Sequence, residues 1–154
     1  MKILTSLVTL ILFSISVLAH ETLSESELIQ KAEAFIHAKN ARQQPNTTVE
    51  DIDHFISLLA DDFIDEHLKF NVTTTSKEEL RNGMIAKMKD KVIFSEIKID
   101  QMMTGRNVVF VKYTEHAKVK PSHMDKVIEY TSTNIVSLEF GENGRIKHIR
   151  RHHA

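Results

Sequence analysis

Glu115 is a carboxylate on an otherwise apolar face. It shares one side of a period-two run with Val109, Val111, Tyr113, Ala117 and Val119. The next such run has a similar interruption, with Ser132 and Asn134 standing between Tyr130 and Val136. A carboxylate drawn out of water has its pKa raised and can take or give a proton near neutrality. A tyrosine hydroxyl beside it can hold a developing oxyanion. The opposing reading places Glu115 at the strand's open end, in water and paired with Lys118 or Lys120. The tyrosines are then core residues with a hydrogen-bonded hydroxyl.

A second charged stretch is LLADDFIDEHLKF, with Asp61, Asp62, Asp65, Glu66 and His67. Asp61 and Asp62 are expected at the end of a helix, where the dipole does not favour a carboxylate. Asp65 and Glu66 are expected in a connecting turn. Leu68, Phe70 and Val72 alternate with His67, Lys69 and Asn71, which predicts a short strand with His67 turned away from the core. Most of these charges are expected in solvent. Asp62 is kept as a second proton-transfer candidate because it adjoins Phe63, which should be buried.

The nine histidines include His148, His152 and His153 in the tail IKHIRRHHA. Imidazole suits copper, zinc and nickel, and a chain beginning at His20 could chelate copper through its terminal amine and ring. The spacing matches no recognised zinc signature, and Arg150 and Arg151 repel a cation, so no metal and no other cofactor is expected.

Three helices must come first in the fold. Ser24 and Glu27 have capping-box spacing, and Leu28, Ile29, Ala32, Phe35 and Ile36 follow at helical intervals that fade near Arg42. Thr47 with Glu50 opens a second helix through Ile52, Phe55, Ile56 and Leu59. Ser76 with Glu79 opens a third, through Leu80, Met84, Ile85 and Met88 to about Asp90. From Val92 the period becomes two. Ile93, Ile97 and Ile99 share one side of a strand, and Thr104-Gly105-Arg106-Asn107 is a turn. The Val109–Val119 run follows, then Ile128 to Phe140. Asn143-Gly144 marks a hairpin, and the last strand runs from Ile146 to His152. Helices followed by strands predict an α+β domain, three N-terminal helices packed on a curved antiparallel sheet.

The chain has 154 residues, no cysteine and a formal charge of −1. Thiol chemistry, disulfides and cysteine-bound zinc are excluded, and nothing suggests a nucleic-acid footprint. Met1-Lys2 precedes an apolar run, Ile3 to Leu18, that falls short of the about 20 residues of a membrane span. With Val17-Leu18-Ala19 at its end, this reads as a signal peptide over residues 1–19, cleaved after Ala19. Residues 20–154 then form one domain, periplasmic or secreted, with no membrane attachment after cleavage.

The order of elements resembles the nuclear transport factor 2-like superfamily, the cone that includes SnoaL-like polyketide cyclases, ketosteroid isomerases and scytalone dehydratase. LLADDF looks like the family's second-helix end, SKEELRNGMIAKM like its third helix and YTSTNIVSLEFGENGRIKHIRRH like its closing hairpin. The resemblance implies a cone whose lining includes Tyr113, Glu115, Tyr130, Ser132 and Asn134, and Asp62 matches a family position. It implies a small, mainly apolar ligand and a possible homodimer. A cofactor-free enzyme using Glu115 or Asp62 as base, and a sheet-to-sheet assembly module using Thr131, Thr133, Ile135 and Ser137, are the alternatives.

Overall fold

The structure, a computed structural model, describes residues 22–153. The expected signal peptide and His20 lie outside the described residues. Ten elements follow in order. They are α1 (Glu25–Ala41), α2 (Val49–Ser57), β1 (Leu59–His67), a single 3-10 turn (Leu68–Phe70), β2 (Val72–Thr74), α3 (Lys77–Lys87), β3 (Lys91–Gly105), β4 (Val108–Lys120), β5 (Ile128–Phe140) and β6 (Ile146–Arg151). The strands form one sheet in the order β2-β1-β6-β5-β4-β3. Strands β3 to β6 are the expected antiparallel meander, but β1 runs parallel to β6, so the sheet is mixed.

Local chemistry starts the helices. Ser24 accepts from the Glu27 amide, and the Glu27 carboxylate accepts from the Ser24 amide at 2.8 Å. The second capping box is Thr48 with Asp51, one residue later than the spacing of Thr47 and Glu50 suggests. Thr47 instead ties the preceding turn, accepting from the Gln44 amide and donating to the Ala41 carbonyl. In α1 the buried residues Leu28, Ala32, Phe35, Ile36 and Lys39 fall on one stripe. That stripe crosses β3 and β4, and α2 bridges α1, α3 and β1.

LLADDF is strand, not helix end. After the Leu58 cap the chain pairs with β6, Leu59 opposite Ile146, and Leu58 carbonyl accepts from the Ile146 amide at 3.0 Å. Pairing with a closing strand outweighs the local helical pattern, because helix propensity is a weak prior. The expected strand at Leu68, Phe70 and Val72 is displaced accordingly. The 3-10 turn and left-handed Asn71 (φ 51°) break its alternation, leaving those three side chains 50%, 62% and 51% exposed.

Irregular register curves the sheet. Shifts occur in β3 at Val92/Phe94 and Ile99/Gln101, and in β1 between Leu59 and Ile64. The first explains why Ile93 is exposed while Ile97 and Ile99 pack on the core. The core is Phe35, Phe55 and Phe63 from the helical layer and β1, set against Val109, Val111, Val136, Leu138, Ile146 and Ile149. The Phe35 and Phe55 rings lie 5.2 Å apart.

Candidate functional site

A cavity of about 680 Å³ opens between the end of α1, the helix α3 and the concave side of the sheet. Its walls are apolar where α3 supplies Leu80 and Met84 and the strands supply Val92, Ala117 and Val119. Its floor is charged.

Glu115 lies on that floor and is 9% exposed. Its carboxylate accepts from Lys39 Nζ at 2.7 Å and from the Tyr130 hydroxyl at 2.7 Å. Lys39 projects from the apolar stripe of α1, and its ammonium also reaches Gln43 Oε1 and lies 5.3 Å from the Tyr113 ring. Burial pulls the ammonium pKa down to about 8, against the attraction of Glu115. Burial would raise the Glu115 carboxyl, but Lys39 and the hydrogen-bonded Tyr130 outweigh it and hold the group below its ordinary value. The expectation of a raised Glu115 pKa is therefore reversed by a partner that its own strand does not supply. Burial and the neighbouring carboxylate both push the Tyr130 hydroxyl upward, so it is a fixed neutral donor. Burial likewise pushes Tyr113 up to about 12.

A second ion pair stands beside the first. Arg151 Nε donates to Asp65 Oδ1 at 2.9 Å, and its Nη2 donates to Oδ2 at 2.7 Å. The side chains are 11% and 3% exposed. Burial alone would lower the guanidinium pKa, yet the two-pronged bond to Asp65 raises it. Asp65 was expected in a solvated turn. It is instead an inward position of β1, two residues from buried Phe63. His67 also lines the cavity, contrary to the expectation that it turns away, and burial lowers its pKa.

Arg42, the cap of α1, is a third cation in the cavity lining. Its guanidinium sits 4.6 Å from the Phe55 ring, and its Nε is enclosed with no hydrogen-bond partner among the described residues. Burial lowers its pKa to about 10, with Arg151 adding to the effect.

The other candidates are placed elsewhere. Asp62 points outward from β1, with a side chain 68% exposed and paired to Lys147 at 2.9 Å. The helix end expected for it does not exist there, and it does not line the cavity. Tyr113 is buried behind the floor, under Lys39. Asn134 donates to Ser132 Oγ at 3.1 Å, and neither residue lines the cavity. Of the sequence candidates, Glu115 and Tyr130 come together. Lys39, Arg42, Asp65 and Arg151 were missed.

The tail histidines are engaged in the fold. His148 approaches Glu66 at 2.8 Å, His152 approaches Ser137 at 3.1 Å, and the His153 ring packs tilted against His67 and edge-on against Phe70. Among the described residues no group of three His, Asp or Glu could hold a metal ion.

No family model and no curated protein matches the chain. Solved structures do. One described as a SnoaL-like polyketide cyclase from Shewanella denitrificans superposes with a TM-score of 0.66 at 15% identity, covering 83% of this chain and 90% of that one. A nuclear transport factor 2-like protein of unknown function from Burkholderia pseudomallei gives 0.63 at 14% identity, covering 86% and 92%. An LEH-like epoxide hydrolase from Mycobacterium tuberculosis gives 0.60 at 19% identity, covering 82% and 81%. Three helices on a curved six-stranded mixed sheet, with a cavity at its concave side, have the nuclear transport factor 2-like fold.

Proposed function

We propose that this is an exported protein, released after Ala19 to the periplasm or medium, that binds a small molecule in the cone. The cavity carries the reading. At about 680 Å³ it falls within the range of small-molecule sites, roughly 300–1,000 Å³. It also combines apolar walls with a few convergent polar groups, the usual composition of such sites. The ligand has an apolar body and a polar end that meets the charged floor. A cavity of this size does not suit a purely structural assembly module, whose interior should be packed by its own side chains.

Gly83 supplies the test. It lines the cavity from α3, and a Cβ added there meets nothing within 4 Å. Gly83→Leu is expected to fold normally and to weaken binding of octan-1-ol at least tenfold by isothermal titration calorimetry. Binding unchanged by this variant would place the ligand outside the cone. The export half is read by the intact mass of protein recovered from the periplasm, which should begin at His20.

A second reading is a cofactor-free enzyme of the SnoaL or ketosteroid-isomerase type. The Lys39–Glu115–Tyr130 contacts favour it, because an amine with a pKa of about 8 beside a carboxylate can exchange a proton near neutrality. In that reading Lys39 holds the mobile proton and Glu115 positions it. A rate of enolisable-ketone isomerisation that Lys39→Met leaves unchanged would end it.

A further inference from the structure

The charges on the cavity floor do not balance. Lys39 is paired with Glu115 and Arg151 with Asp65, each at 2.7 Å. Asp65 and Glu115 attract Arg42 from a distance, but among the described residues none makes an ion pair with it, and its Nε is enclosed without a hydrogen-bond partner. On the floor three cations thus face two carboxylates, and the formal charges of Lys87, Lys91, Glu79 and Asp90 elsewhere in the lining cancel. An arginine keeps its charge in a protein, and a buried charge without a partner is costly. The aromatic ring of Phe55 offsets part of that cost but accepts no hydrogen bond in the guanidinium plane.

Resting on the small-molecule reading above, we infer that the cone takes an amphiphilic monocarboxylate, its carboxylate on Arg42 and its apolar body against Leu80, Met84 and Val119. A single negative charge neutralises the floor. A dianionic phosphate would overshoot and leave a net negative charge in a poorly solvated site. A planar carboxylate also matches the fork of a guanidinium, which donates two parallel N–H···O bonds to it. The neighbouring polar groups are already committed. Gln43 donates to Ser95 and accepts from Lys39, and Gln44 donates to Asn40 and the Ser95 carbonyl. Of the polar side chains at the end of α1, Arg42 is the donor left for a ligand.

The test compares octanoate with octan-1-ol at pH 7 by isothermal titration calorimetry on the purified protein. Octanoate is expected to bind at least tenfold more tightly, and Arg42→Gln should bring the ratio of the two affinities to about one. A nitrogen-15 spectrum of the unaltered protein gives an independent readout that needs no variant. The Arg42 Nε–H resonance should move with octanoate and stay in place with octan-1-ol. Equal affinities for the two probes overturn the inference and leave the small-molecule reading intact. Binding of neither probe overturns both. A tenfold preference with an unmoved Arg42 resonance removes Arg42 as the seat of the carboxylate, and the inference with it. Octyl phosphate binding more tightly than octanoate overturns the choice of a monoanion.

Discussion

Replacing Lys39 by Met should invert the behaviour of Glu115. In the native protein the buried carboxyl is held below its ordinary value because Lys39, with hydrogen bonds from Tyr130 and Gln43, outweighs its burial. Two unit charges about 4 Å apart attract by roughly 4 kcal/mol at the effective dielectric of about 20 that suits such sites. Removing it leaves Glu115 with burial against the hydrogen bonds of Tyr130 and Gln43, and its pKa should climb above 4.5. The pH dependence of stability changes sign with it. In the native protein the Glu115 contribution is present above its unfolded pKa of about 4.3 and is lost as pH falls through the lower folded value. In Lys39→Met the folded value is the higher one. The contribution is then greatest below the unfolded pKa and disappears as pH rises through the folded one. At pH 7 the variant should be about 3–5 kcal/mol less stable, the usual cost of stranding one member of a buried pair. Carbon-detected titration of the Glu115 carboxyl, with urea melts at acid and neutral pH, reads both effects. A Glu115 pKa still below 4.5 in the variant would refute the argument that Lys39 sets it.

Asp65→Asn should cost about 3–5 kcal/mol by denaturant unfolding, because it leaves Arg151 charged and enclosed, whereas Asp62→Ala, at an exposed surface pair, should change stability by less than about 0.5 kcal/mol. Gly83→Ala should raise stability by roughly 0.5–1 kcal/mol, since Gly83 sits inside α3 with open space where a Cβ would go. The depressed Lys39 pKa predicts a rise in native stability between pH 8 and 10.5, where the unfolded chain binds the proton more tightly. That rise amounts to about 3 kcal/mol at 1.36 kcal/mol per pH unit, and it should be missing from Lys39→Met in a comparison of urea midpoints.

The fold was largely legible because its signals are local. The first and third helix starts follow from Ser24 and Ser76, each serine oxygen accepting from the amide three residues on. The alternation of β4 runs unbroken from Val109 to Ala117, and the Asn143-Gly144 turn places Gly144 at φ 70°. The failures occur where a distant partner decides. LLADDF pairs with β6, nearly ninety residues later, and that pairing makes it a strand. The bulge at Ile93 is likewise visible only against β4.

The floor of the cavity was half legible for the same reason. A charged residue on an apolar strand face flags itself, and that is how Glu115 stands out. The same signature marks three of the residues that were missed. Lys39 continues the stripe Leu28, Ala32, Phe35 and Ile36, Asp65 lies two residues beyond buried Phe63, and Arg151 lies two beyond buried Ile149. Each interrupts an apolar period on its own element, α1, β1 and β6. What no single element reveals is their convergence. Glu115 alone reads as a desolvated acid, and Lys39 alone as a desolvated base. Only the crossing of α1 over β4 brings them to 2.7 Å and turns two costly charges into one pair. Arg42 is the remainder after that pairing, so the unbalanced charge that points to a ligand emerges from the fold and from no one stretch of sequence.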